Sequence, residues 1–302
     1  MERNITKLQA GQEGEVLLLV QEVEKAVASN GSHYEKLKVR DTEGNDAMVF
    51  NWNEPFAAPL PAVICAKIHT KLVKEMNNYN MSTYQPDHSI PKSEFLPKPT
   101  INVKEYWHEL IEYANQLPPE LRRLVELILM DDQKRFLSYP LTSSKSFARR
   151  CGILEATLKL TKMTADVCCT LAPNLDQNLS ITSAILYYVG YTECINDAFL
   201  ATPEEILIGA GVSAYTKVIS QAEKIKKELK DDNLQHFCEA VKCISHILLS
   251  RYKGINTAIP EAMLLRHLDA IITDIDYMIS ATAATEPGKI SSVSGLGKLY
   301  RR

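Results

Sequence analysis

The hydrophobic pattern of this chain changes its period at one place, residues 86–99. Upstream, apolar residues alternate with polar ones in short runs closed by polar turns; downstream they recur three and four residues apart in runs of a dozen or more. Alternation puts one face of a strand against a core, whereas a 3.6-residue period puts one stripe of a helix there. The chain must therefore build an all-β unit first and an all-α unit second. The segment between them carries Pro86, Pro91, Pro97 and Pro99 with polar spacers, which is linker composition. A length of 302 residues with 45% hydrophobic residues suffices for two cores. The expected division is 1–85, a linker over 86–100, a helical unit over 101–285, and a basic, Gly- and Ser-rich tail over 286–302, flexible or lightly docked.

In the first unit, residues 15–23 read as a long strand, and the turn Ser29-Asn30-Gly31-Ser32 follows. Residues 34–40 alternate with period two and place Lys36, Lys38 and Arg40 on one face. Residues 47–52 and 62–73 are further strands, and a fifth is expected over 81–85. A long curved strand, a hairpin and a return strand open an OB-type barrel, which binds single-stranded nucleic acid on its second and third strands. The candidate binding residues are Lys36, Lys38 and Arg40 for phosphates, Phe50 and Trp52 for base stacking, and Lys67 and Tyr84 as neighbours, with Tyr34, Lys71 and Tyr79 nearby. Phe50 and Trp52 read either as barrel core, the reading Phe50 leans to, or as a stacking platform.

Helices are expected over 103–117, 119–130, 150–171, 177–190, 203–229, 234–251 and 260–281. The fold class is α+β multidomain: an N-terminal OB-like β-barrel followed by an all-α helical domain. The formal charge of −3 supplies no general nucleic-acid signal, and Lys217, Lys224, Lys226, Lys227 and Lys230 alternate with acids as a solvated face does. Seven cysteines without a CxxC read as reduced core residues. No leader or membrane-spanning run is evident, so a soluble, cytoplasmic protein is the expectation.

The helical half carries a series of short motifs along its length. They are Arg135-Phe136-Leu137 with Pro140, Cys151-Gly152-Ile153-Leu154-Glu155-Ala156-Thr157, Pro173-Asn174-Leu175-Asp176, and Ser183-Ala184-Ile185-Leu186-Tyr187-Tyr188-Val189-Gly190-Tyr191. Leu207-Ile208-Gly209-Ala210, the run from His246 to Tyr252, the run from Pro260 to Leu265, and Leu296-Gly297-Lys298-Leu299-Tyr300 complete it. Behind a barrel and a proline-bearing linker, this arrangement resembles the YhaM-type family of bacterial 3′-5′ exoribonucleases from about Ile5 to Arg302. The resemblance implies an HD-type phosphohydrolase fold for the helical half. It also implies hydrolysis of phosphodiesters by one or two divalent ions held by His and Asp.

The ligand positions of that pattern hold other residues here. The first ligand His is replaced by Ala156, the His-Asp pair by Tyr187 and Tyr188, a further His by Ala210, and a His-His pair by Arg251 and Tyr252. An upstream His-His is Ser146-Phe147. Only His246 and Asp269 match, and no His-Asp dipeptide occurs in the chain. Two ligands do not make a hydrolytic metal centre; a rescue would have to recruit Glu155, Asp166 or His267. The expectation is a degenerate HD site with no metal and no cofactor, in a relative that binds single-stranded RNA or DNA weakly. The alternatives are an active divalent-metal 3′-5′ exoribonuclease and a non-catalytic interaction subunit, a homo-oligomer or a hetero-oligomer with an active relative.

Overall fold

The computed structural model describes residues 4–73, 75–170, 174–252, 254–293 and 295–302. Two compact units divide between Lys98 and Pro99, with the excursion Asn196–Leu200 grouping with the first.

The first unit is a closed five-stranded barrel in the order β1-β2-β3-β5-β4. Its strands are β1 (Glu13–Val27), β2 (His33–Asp41), β3 (Asp46–Asn51), β4 (Ala62–Val73) and β5 (Met76–Pro86). β1 pairs with both β2 and β4, and β3 with β5 in parallel, which closes the sheet. An irregularity between Val20 and Glu22 lets the long β1 bend from one neighbour to the other. Val16, Leu18, Val20, Leu37, Val39, Val49, Ile64, Ala66 and Ile68 fill the interior, two apart along their strands as the alternation requires.

β5 begins five residues before the expected strand. Asn77, Asn78 and Asn80 are poor strand formers, yet β5 pairs with β4 from Met76 to Pro86, and the ladder overrides propensity. The proline-bearing segment is also more than a spacer. A 3₁₀ turn over Lys92–Phe95 buries Phe95 and Leu96, and a Cβ on Gly44 would meet the Pro97 ring at 2.7 Å.

The second unit is helical: α1 (Val103–Asn115), α2 (Pro119–Asp131), α3 (Gln133–Ser138), α4 (Gly152–Thr170), α5 (Gln177–Leu186), α6 (Tyr191–Cys194), α7 (Pro203–Leu207), α8 (Ala210–Lys226), α9 (Asp231–Leu249) and α10 (Pro260–Thr282). Asn102 caps α1 by accepting from Lys104 N–H, and Asp176 caps α5 by accepting from Leu179 N–H at 2.9 Å. Of the motif residues, Pro173 lies outside the described residues, as does Leu171 at the expected end of α4.

Two expected helices are broken, each at the site described below. Residues 177–190 end as α-helix at Leu186 and pass into tight turns, in which Tyr187 N–H bonds the Ala184 carbonyl. Residues 203–229 split at Gly209, whose φ of 84° leaves the right-handed region. The tail is a hairpin, β6 (Ile290–Val293) with β7 (Gly297–Tyr300). The Arg301 guanidinium donates to the carbonyls of Ala283 and Thr285 just past α10, so the tail is docked. Among the described residues no helix is long and apolar enough to cross a membrane.

Candidate functional site

The turn after α5, the C-terminus of α9 and the middle of α10 meet around one side chain, Arg251. Its guanidinium lies 4.4 Å from the Tyr187 ring centre, 5.3 Å from Tyr191 and 5.6 Å from Tyr188. It donates to the Tyr187 carbonyl at 3.0 Å and stands 3.6 Å from the Asp269 carboxylate. Asp269 accepts the Tyr188 hydroxyl at 2.5 Å, and the Tyr187 and Tyr188 rings meet edge to face at 5.4 Å. Desolvated cations are drawn to aromatic faces, here three of them with one carboxylate.

Ala210 adjoins this group. A Cβ on Gly190 would fall 1.9 Å from the Ala210 carbonyl oxygen, so the turn after α5 sits directly on the first turn of α8. Tyr252 accepts the Gly211 N–H at 2.7 Å, and a Cβ on Gly209 would meet its hydroxyl at 2.4 Å. Ala156 is buried on α4 in the same core. Positions 187, 188, 210, 251, 252 and 269, far apart in sequence, are thus brought together. His246 is not joined to them by a bond: its Nε2 accepts the Ala258 N–H at 2.9 Å.

The electrostatics are those of a largely buried ion pair. Burial works against the Arg251 charge, but Tyr191, Asp269 and the other tyrosines outweigh it and raise the guanidinium pKa above its ordinary value. Burial raises the Tyr187 phenol. Burial, the Asp269 charge and the hydrogen bond to Asp269 likewise raise Tyr188 well above its ordinary value. All three tyrosines stay neutral across the physiological range, and the Tyr187 hydroxyl has no hydrogen-bond partner among the described residues.

A divalent ion does not fit this donor set. The one carboxylate is held by a phenol and a guanidinium, the His246 lone pair is used by a backbone amide, and the guanidinium would repel a second cation. Among the described residues no three His, Cys, Asp or Glu come together as ligands. Glu155 is only 1% exposed and accepts from Arg149 at 2.9 Å and Lys159 at 2.6 Å. Arg149 also binds Asp276 at 2.6 Å, and Asp276 accepts the Phe147 N–H at 2.6 Å. Where the family pattern has its upstream His-His, this chain has Ser146 bonded to the Thr273 carbonyl and a Phe147 ring under Arg149 at 4.9 Å. Asp166 and His267 are exposed.

On the barrel, Tyr34 stacks on Trp52 at 4.4 Å and lies 6.0 Å from Phe50. Trp52 follows the last residue of β3 and is 46% exposed, and Phe50 is half-buried. Both therefore lie outside the barrel core. Trp52 Nε1 donates to Asn80 at 3.1 Å beside a cleft of about 480 Å³ lined by Trp52, Asn53, His69, Lys71, Asn80 and Ser82.

The cations are less free than the pattern suggests. Arg40 is 5% exposed and donates two bonds to Asp46, at 2.6 and 2.9 Å. Lys36 and Lys38 pair with Glu24 and Glu22, at 3.7 and 3.6 Å, and Lys67 pairs with Glu13 at 3.0 Å. Tyr84 stacks on Phe56 at 4.7 Å and accepts the Ala57 N–H, apart from the Tyr34–Trp52 stack. Lys217, expected on a solvated face, is half-sequestered and bound to Asp132 and Glu193.

Tyr191, Asn80, Arg149 and its partner Asp276 were not readable as site residues. Tyr191 closes the motif that runs from Ser183, the one signal available for it.

The chain is similar over nearly its whole length to two curated proteins, each named 3′-5′ exoribonuclease YhaM, from Listeria innocua and Listeria welshimeri. It is 24% identical to each over 311 aligned residues, covering 96% of this chain and 95% of either relative. No protein-family profile and no solved structure matches it. Full-length similarity to proteins of that name supports placing this chain in the family that its motifs resemble.

Proposed function

We propose that this protein is a non-catalytic relative of YhaM-type exoribonucleases that binds single-stranded RNA on the outer face of its barrel and does not cleave it. The carrying observation is the Arg251 guanidinium: it stands with Tyr187, Tyr188 and Asp269 at positions that the family pattern gives to metal ligands, and the Tyr191 ring packs beside them. A hydrolytic ion polarises the phosphate and supplies hydroxide. A guanidinium supplies the charge and cannot supply the hydroxide. The side chains that replace the ligands make a packed, neutral-to-cationic core in their place.

Binding is supported by the Tyr34–Trp52 stack with its half-exposed indole and by Lys71 and His69 in the adjoining cleft. Because Lys36, Lys38 and Lys67 already face carboxylates, affinity is modest and falls with salt. The test has two arms. Protein purified without chelator carries no stoichiometric Mn, Fe or Zn by elemental analysis, and about one ion per chain would refute the inert site. A fluorescence titration with single-stranded RNA shows salt-sensitive affinity that Trp52→Ala lowers about 5- to 150-fold, the equivalent of ~1–3 kcal/mol for one stacked base. An unchanged affinity would remove the barrel face from the account.

A further inference from the structure

α10 is apolar on two sides. Ala262, Leu265, Leu268 and Ile272 face the core, as a packed amphipathic helix requires. The other side should then be polar, yet Met263, Ile271, Ile275, Met278 and Ile279 are 52, 45, 53, 44 and 66% exposed. These residues fall on two adjacent ridges four residues apart, Met263-His267-Ile271-Ile275-Ile279 and Ala270-Asp274-Met278-Thr282. Such ridges are what one helix offers to the grooves of another. The first ridge is about 24 Å long at 1.5 Å per residue.

We infer that this face of α10 is a self-association surface on which a second copy of the chain packs its own α10, antiparallel about Ile271. The polar residues select that occupant. The stripe carries one acid, Asp274, and one imidazole, His267, both on the same lateral side. An antiparallel two-fold through Ile271 keeps that side common to both helices. It sets His267 of one copy level with Asp274 of the other, twice, Met263 level with Ile279, and Ile271 against itself. A parallel pairing would instead put His267 level with His267 and Asp274 level with Asp274 on opposite flanks, so that neither imidazole meets a carboxylate. An isologous contact of this kind closes on itself as a dimer. The inference stands apart from the reading of the Arg251 site.

Sedimentation equilibrium of the full chain tests it. Twice the 33.9 kDa chain mass is expected at micromolar concentration. Ile271→Asp brings two charges together on the axis and raises the dimer dissociation constant about tenfold or more. Since Ile271 is exposed, this variant keeps the wild-type helical dichroism. Ile271→Cys forms a chain-to-chain disulfide under oxidation too mild to cross-link the wild type. His267→Asp weakens the dimer, and adding Asp274→His restores it. A monomer at all concentrations would overturn the inference. So would a dimer that tolerates Ile271→Asp while Ile271→Cys fails to cross-link.

Discussion

Removing the Arg251 guanidinium should be costly in a way that separates a structural cation from an incidental one. Arg251→Ala takes away the contacts to three rings at 4.4, 5.3 and 5.6 Å, the bond to the Tyr187 carbonyl and the cation beside Asp269. A desolvated cation–π contact is worth ~2 kcal/mol, and a charge-assisted hydrogen bond ~1.5–3 kcal/mol. These overlap, because one group makes them all. The figure that covers loss of one partner from a buried pair is ~3–5 kcal/mol, and that is the expected destabilisation. Arg251→Met keeps most of the volume but still strands Asp269. Combining it with Asp269→Asn removes both charges, so the double variant should cost less than the two single ones together, with a coupling of at least ~1 kcal/mol. Urea unfolding followed by far-ultraviolet circular dichroism, to which the helical unit contributes most, supplies the free energies. An Arg251→Ala cost below ~1 kcal/mol, or strict additivity in the cycle, would refute the buried ion pair.

Alkali should reveal the same site. Tyr187, Tyr188 and Tyr191 have folded pKa values above their ordinary value near 10, chiefly through burial. Their unfolded forms therefore lose protons first, and stability is intact below about pH 10 and falls as pH rises above it. In a spectrophotometric titration of the 13 tyrosines, these three should ionise only together with loss of helical signal; ionisation at ordinary pH with the fold intact would contradict their enclosure. Gly190→Ala would drive a Cβ to 1.9 Å from the Ala210 carbonyl oxygen. Because the opposing atoms are the α8 backbone at Ala210 and Ala214, which cannot swing aside as a side chain can, the variant should lose more than ~3 kcal/mol in the same urea assay. A near-neutral result would mean that the turn after α5 does not rest on α8.

Much of this was legible from the pattern of residues. Period-two alternation in β1 to β4 and the change of period after Pro86 locate the barrel and the helical unit, because burial of one face is what both periods record. β5 was mostly hidden, since its asparagines carry no strand propensity and its pairing with β4 is a tertiary fact. The breaks at Tyr187 and Gly209 were hidden for a similar reason. Apolar periodicity runs through both, and only packing against Arg251 and Tyr252 shows why the helices stop. The substituted ligand positions could be read one at a time. That Arg251 reaches Tyr187, Tyr188 and Asp269 at once could not, because the contacts join residues more than sixty apart. On the barrel, alternation placed Arg40 beside Lys36 and Lys38, but the Asp46 carboxylate that occupies it lies across a turn and leaves no periodic trace.

The central claim, that a protein-borne cation stands where the family pattern calls for a metal, is tested most directly by incubating the wild-type chain with end-labelled single-stranded RNA and excess Mn²⁺. Intact RNA is expected at all times, under conditions where a YhaM enzyme run in parallel shortens it from the 3′ end. Metal-dependent shortening from the 3′ end by this chain, abolished by chelator and by Asp269→Asn, would contradict it.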